Sequence, residues 1–310
     1  MIDSRGDARA EEKGVTDVRR QSVVRLLMVI ILACSQVLVA GPSRAETPAV
    51  DGDFVTQFMP LSGLDQQVQQ FPQSYLALVE QVFSGFEKRS WQIPVTVKQR
   101  IRLSFTDALN PHLLDHAIRQ QLSDRLSPKT AEAALAWLRT DVGQKATQAE
   151  VRVVSPDTPL ALTGFVLQLQ LEPPSPQRVQ LVRRLEEVTQ GSALATAAWE
   201  RVVLVVSKAI EAALPRKTPG GIEAFRQDVA SIQADLQPLL TQGRLLELLF
   251  TYRTLTEREL ASYVEFLESP PGRTLTRSVN DVVQGAAVQA ITSTESSLIQ
   301  SLQTDTREKA

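Results

Sequence analysis

Leu255-Thr-Glu-Arg-Glu-Leu-Ala-Ser-Tyr-Val-Glu-Phe-Leu-Glu-Ser-Pro-Pro-Gly-Arg-Thr-Leu-Thr276 spells a capped helix, a sharp corner and the start of a second helix. Thr256 is placed to accept from the Glu259 amide while the Glu259 side chain reaches back to the Thr256 amide, a reciprocal capping box. Leu260, Tyr263, Val264 and Leu267 then recur at helical spacing and form one apolar stripe. Ser269 and Pro270 supply the N-cap and first residue of the next helix. Nothing in the stretch carries catalytic chemistry.

The segment Leu126 to Thr147 follows the same design. Ser127 and Pro128 open its helix, and Ala131, Ala134, Leu135 and Leu138 form its stripe. Trp137 matches Phe266 as the large aromatic before the corner. Thr140-Asp141 matches Ser269-Pro270, and Leu126, Leu138, Gly143 and Thr147 are identical to Leu255, Leu267, Gly272 and Thr276. Glycine in the first turn of a helix costs up to about 1 kcal/mol in propensity. Its recurrence implies close approach by the aromatic side chain or the preceding helix, an expectation that leaves alanine near neutral and makes leucine clash. The sequence thus reads as all-α: a multi-helix bundle of two related halves, each with one helix–corner–helix repeat.

Thr256-x-x-Glu259-Leu260 followed by Phe266-Leu-Glu-Ser-Pro-Pro-Gly272 resembles the domain-of-unknown-function family 2059 of bacterial envelope proteins. That family's signature is a leucine–threonine cap followed by phenylalanine-tyrosine-x-serine-proline-x-glycine. Leu267 stands here where the family usually has tyrosine, and Pro271 is an extra proline. The resemblance is closest over residues 226–276. The first copy, Trp137-Leu-Arg-Thr-Asp-Val-Gly143, keeps the aromatic, the cap and the glycine but lacks the proline. The resemblance implies an all-helical, exported protein and no particular activity.

The leader agrees with export. Arg19, Arg20 and Arg25 precede an uncharged apolar run from Leu26 to Ala40; Gly41-Pro42 breaks it, and Ser43-Arg44-Ala45 puts small residues at the positions a signal peptidase reads. Residues 1–45 are therefore expected to be a signal peptide cleaved after Ala45, releasing a periplasmic chain. The apolar run is short for a membrane span. A retained anchor is one alternative, and acylation at Cys34 within Ile31-Leu-Ala-Cys34, giving a membrane-anchored lipoprotein, is another.

Cys34 is the single cysteine of the 310 residues, so the segment from Glu46 onward has no disulfide framework, thiol nucleophile or cysteine-held zinc. The 33 basic and 35 acidic residues of the full chain are interspersed, for a net charge of −2. No basic stripe of the kind nucleic acid selects is visible. Residues 46–59 read as a tail. Helices follow over 61–71 (stopped by Pro72), 73–86, 94–109 and 111–126. The first corner then runs on to about Val154, and residues 160–171 form a further helix. Val151–Val154 is the only stretch with strand character. Pro173-Pro-Ser-Pro176 is a stiff linker, dividing an N-terminal half (46–172) from a C-terminal half (173–310). In the latter, helices are expected over 176–189, 192–214, 222–240, 244–254 and 270–302. The helix 192–214 is apolar nearly all round and belongs at the centre. The loop 215–221 should be the most mobile, and 303–310 should fray.

The candidate chemistry is His112-Leu-Leu-Asp-His116. These are the only two histidines, at i and i+4 with Asp115 beside them, a spacing that suits zinc. Aspartate stands where one zinc peptidase class has its glutamate base, and only Glu132 and Glu150 offer themselves as a third ligand, by position. Arg244-Leu-Leu-Glu-Leu248 aligns with the same stretch, which makes the histidines surface residues of a structural helix. No Gly-x-Ser-x-Gly elbow is present, and Pro219-Gly-Gly221 lacks the strand and lysine of a phosphate loop. Adjacent acids such as Glu186-Glu187 diverge on a helix, and Trp137 and Trp199 read as core. No catalytic residue and no cofactor is indicated. The expected function is a binding or structural module of the cell envelope, with a protein, peptidoglycan or lipid as partner. The alternative is a metal-dependent hydrolase using His112 and His116.

Overall fold

The computed structural model describes residues 52–153, 158–213 and 221–308. Every element among them is a helix: α1 (Gly52–Leu61), α2 (Leu64–Glu87), α3 (Val95–Ala108), α4 (Pro111–Arg125), α5 (Pro128–Leu138), α6 (Asp141–Val153), α7 (Thr158–Leu171), α8 (Pro176–Thr189), α9 (Gly191–Ala213), α10 (Gly221–Thr251), α11 (Glu257–Glu268) and α12 (Pro270–Glu308). The leader and the loop 215–220 lie outside the described residues.

Ser127 and Thr256 cap where the sequence puts them, and Asn110 and Ser175 cap two further helices. Asn110 accepts from the His112 amide, Ser127 from Thr130, and Ser175 from Arg178. Thr256 and Glu259 close the reciprocal box, with the Thr256 amide donating to Glu259 Oε2 over 2.7 Å. Each satisfies amides that a helix start leaves without an intrahelical partner.

Five expectations are corrected. Within the expected tail 46–59, the described residues 52–59 belong to α1, which buries Phe54, Val55, Phe58 and Met59. Pro72 does not stop a helix, because α2 runs through it. The cost of an interior proline, about 3 kcal/mol, is outweighed by the apolar stripe that continues on both sides, from Leu64 and Val68 to Val79, Phe83 and Phe86. Likewise α10 is one helix where two were expected, passing through Pro238. Residues Val151–Val153 belong to α6, and α12 continues beyond Leu302 to Glu308.

α9 occupies the centre, against α2, α3, α10 and α12. Trp199, Val202, Val203 and Val206 on it are fully enclosed. α12 is the long strut that joins the two sides of the chain, resting on α3, α4 and α5 as well as on α8, α9 and α11. One core draws residues from α1 to α5 and from α9, α10 and α12, so helices on both sides of Pro173–Pro176 share it. A second core joins α6 to α8, the end of α10 and α11, through Ala146, Ala149, Leu185, Leu248, Leu260 and Val264. No helix among the described residues is long and apolar enough to cross a membrane.

Candidate functional site: a polar cavity between the two corners

The two corners share their geometry and meet face to face. Thr140 Oγ1 accepts from the Gly143 amide at 3.0 Å and donates to the Trp137 carbonyl at 2.7 Å. Ser269 Oγ accepts from the Gly272 amide at 3.2 Å and donates to the Phe266 carbonyl at 2.5 Å. Each glycine therefore lies on a carbonyl in the last turn of the preceding helix. A Cβ at Gly143 would sit 2.3 Å from the Trp137 carbonyl oxygen, and one at Gly272 2.0 Å from that of Phe266. Of the two expected neighbours it is the preceding helix, through rigid backbone, and even a methyl group has no room. The aromatics stack on each other instead: the Trp137 and Phe266 rings lie 4.7 Å apart at 8°, with Tyr263 on the same indole at 6.0 Å. Lys145, from the helix after the first corner, grips Glu259 of the second corner's capping box at 2.8 Å. That grip and the cap hydrogen bonds hold the Glu259 carboxyl down at about 2.

Between the corners lies a cavity of about 160 Å³. Matched residues of the two copies line it: Trp137 with Phe266, Leu138 with Leu267, Thr147 with Thr276. Its chemistry comes from residues that are not matched. Glu150 of α6 receives two phenol hydroxyls on one oxygen, from Tyr252 at 2.6 Å and from Tyr263 at 2.7 Å. Arg244 of α10 is held between Glu247 at 2.5 Å and Glu186 of α8 at 3.0 Å. Asn280 of α12 donates to the Thr189 carbonyl at 3.2 Å. Gln67 of α2 completes the polar wall.

Burial governs the electrostatics. Glu247 is 3% exposed, and loss of hydration pushes its carboxyl up to about 7 against the pull of Arg244. Burial also raises Glu150, while the two hydroxyls and Arg244 draw it back. Tyr252 and Tyr263 are lifted well above the usual phenol range by burial and by the neighbouring carboxylate. Both tyrosines therefore stay protonated as donors. Glu247 and Gln67 line the cavity, and their Oε2 and Oε1 atoms are themselves buried and have no hydrogen-bond partner among the described residues.

The histidine pair lies elsewhere. His112 and His116 are both exposed on α4, Asp115 is engaged by Arg119 at 2.7 Å, and Glu132 is exposed on α5. Among the described residues no group of three or more potential ligands is placed to hold a metal ion. Trp199 is core, as expected; Trp137 is a cavity wall as well as a packing residue. Sequence reasoning took Glu150 only as a third metal ligand, Tyr263 as part of an apolar stripe, and Arg244 and Glu247 as polar flanks of a leucine pair. Tyr252 and Gln67 it did not single out. Arg244 and Glu247 in an otherwise leucine-rich helix end are the one local signal that could have pointed here.

These features define a class of protein: an all-α bundle in which two like helix corners border a polar cavity. No family model, no curated protein and no solved structure matches the chain.

Proposed function

We propose that the protein is an exported helical binding module of the bacterial cell envelope, and that the cavity between its corners holds a small ligand. The observation that carries this reading is the cavity of about 160 Å³ between the corners, with aromatic rings, carboxylates, phenols and hydroxyls among the residues that line it. Binding is favoured over catalysis because the described residues of the lining supply carboxylates, phenols and hydroxyls without a histidine, cysteine or lysine beside them. The leader argues for export, with the mature chain beginning at Glu46.

Two measurements test this. N-terminal sequencing of the periplasmic fraction should read Glu46 first; recovery of the intact leader in membranes, or an acyl group on Cys34, overturns the exported soluble form. Thermal shifts with a panel of small polar compounds should include some that stabilise the parent and not Thr276→Phe, whose ring fills the cavity. A panel that shifts neither protein, or both equally, overturns the cavity as a binding site.

A further inference from the structure

Helix α7 carries two apolar stripes, and the described residues cover one of them. Its 14 residues, Thr158 to Leu171, include no Asp, Glu, Lys or Arg. Thr158, Leu162, Phe165 and Leu169 recur at the i, i+4, i+7, i+11 spacing of one helix face. Leu160, Gly164, Leu167 and Leu171 repeat that spacing on the opposite face. The first stripe packs inward: Leu162 is buried with Val153 and Phe250, and the Phe165 ring meets the Phe250 ring edge-on at 5.4 Å. The second faces out. Leu160 is 81% exposed, Leu167 55% and Leu171 85%, and a Cβ at Gly164 would meet nothing within 4 Å.

Single exposed leucines are ordinary on a folded protein's surface, and Leu103 and Leu113 are of that kind. Three on one face of an uncharged helix are not. A helix that is apolar all round is normally covered all round, and contiguous exposed apolar surface marks an interaction site. α7 supplies none of the residues that line the cavity, so this surface is separate from the ligand site proposed above.

What fits the stripe is the stripe itself. Two copies of α7 can be laid antiparallel about a two-fold axis midway between Gly164 and Leu167. Leu160 of one copy then lies opposite Leu171 of the other, and Leu167 opposite Gly164. Each Leu167 becomes a knob facing the notch that a glycine leaves. The ends match in charge as well as in shape. Exposed Glu172, which follows the stripe, comes to the first turn of the opposite α7, where the amides carry the positive end of the helix dipole. Exposed Arg152 is at that same end, its carbonyl accepting from Thr158 Oγ1 at 3.2 Å. A parallel pairing would instead set Glu172 beside Glu172. A membrane surface is a poorer match, since helices that lie in an interface carry Lys or Arg on their polar face and α7 has neither.

We infer that α7 is a self-association surface, through which two copies of this chain pair as an antiparallel helix dimer with Leu167 of each against Gly164 of the other. A helix face about 21 Å long and about 10 Å wide falls well short of the roughly 800 Å² that each partner of a standard interface buries. The dimer is therefore weak and forms with rising concentration.

The chain from Glu46 onward contains no cysteine, which makes the pairing testable by crosslinking as well as by sedimentation. Between about 1 and 300 µM, the range in which small interfaces form, that chain should pass from monomer to dimer. It should stop there, because a two-fold interface closes on itself. Leu167→Asp should melt with the parent at low concentration and weaken the dimer at least roughly a hundredfold, since a desolvated leucine is lost from each copy. Leu103→Asp, the same change on α3, should leave the dimer intact. On mild oxidation the double variant Leu160→Cys/Leu171→Cys should give a crosslinked dimer, and neither single variant should. A chain that stays monomeric across the range overturns the inference, and if that monomer floats with phosphatidylglycerol vesicles the stripe belongs to a membrane. A dimer that survives Leu167→Asp lies on another surface, and one that crosslinks as readily through Leu171→Cys alone is parallel; either result also overturns the inference. The ligand site stands or falls separately, by the thermal shifts of the parent and Thr276→Phe.

Discussion

Replacing Gly272 by alanine is a one-carbon change that the corner is not built to absorb. The new Cβ would lie 2.0 Å from the Phe266 carbonyl oxygen, 2.8 Å from its carbon and 2.9 Å from the Leu267 Cα. All three obstacles are backbone, so no rotamer change can relieve them. The two helices must part, at a cost of about 1–3 kcal/mol for overpacking. Opening the corner also stretches the bond from the Gly272 amide to Ser269 Oγ, a cap worth about 1 kcal/mol. Against this, alanine returns up to about 1 kcal/mol of helix propensity. The balance is a loss of about 1–3 kcal/mol, which for a chain of this size lowers the melting temperature by roughly 3–10 °C.

Gly143→Ala should behave alike, with the Trp137 carbonyl oxygen 2.3 Å from the new carbon. Gly164 on α7 is the internal control, since a Cβ there meets nothing within 4 Å; Gly164→Ala should be neutral or stabilising by up to about 1 kcal/mol. Urea unfolding of the three variants beside the parent decides the matter. Gly272→Ala or Gly143→Ala as stable as the parent would refute the reasoning, and so would Gly164→Ala falling with them.

Three other outcomes are expected. Lys145→Met removes the cation that holds Glu259 at about 2. A depressed carboxyl stabilises above its unfolded value of 4.5 and loses that contribution as the pH falls through the folded one. The variant should therefore be less stable than the parent at pH 7, and the gap should close between about pH 4.5 and 2; a constant gap counts against the pairing. Tyr263→Phe and Tyr252→Phe each take one hydroxyl from Glu150 and should each cost about 1–3 kcal/mol in urea unfolding. The double variant should differ from the sum, because both donors share one oxygen; strict additivity would mean that they act separately. Changing His112 and His116 together to glutamine should leave stability within about 0.5 kcal/mol, because both are exposed, and loss of stoichiometric zinc in that variant would reopen the metal reading.

The fold was legible because its determinants are local. Caps such as Asn110, Ser127, Thr256 and Ser175 are signalled within four residues of where they act, and the stripe Leu260–Leu267 has the period of the helix it forms. The helix breaks misled where a local signal met a tertiary one. Pro72 is a strong breaker in isolation, yet the apolar positions on either side bury together and hold one helix through it. The cavity was illegible for the opposite reason. Glu150 and its two phenols are separated in sequence by more than a hundred residues, and nothing near Glu150 distinguishes it from a solvated helix acid. Alignment with His112–His116 also drew attention to the wrong member of the pair. The histidine side of that match is exposed on α4, whereas Arg244 and Glu247 are buried on α10.

The two copies explain both the existence of the cavity and its polarity. What they share is architectural: the caps, the corner glycines, Leu138 with Leu267, Thr147 with Thr276, and the aromatics Trp137 and Phe266 that stack across the joint. Two identical corners pressed together would leave an even, mostly apolar gap. The departures from identity fall on its walls. Glu150 stands in the first copy where the second has Val279, and Tyr263 stands in the second where the first has Ala134. Each copy thus supplies the group that the other lacks, and the 2.7 Å bond between Glu150 and Tyr263 exists only because they differ. A purely structural joint gains nothing from such a pair, since burying a carboxylate beside two phenols is harder than packing the valine and alanine already used at the equivalent positions. The asymmetry therefore belongs to the cavity's chemistry, while the symmetry belongs to the fold that frames it.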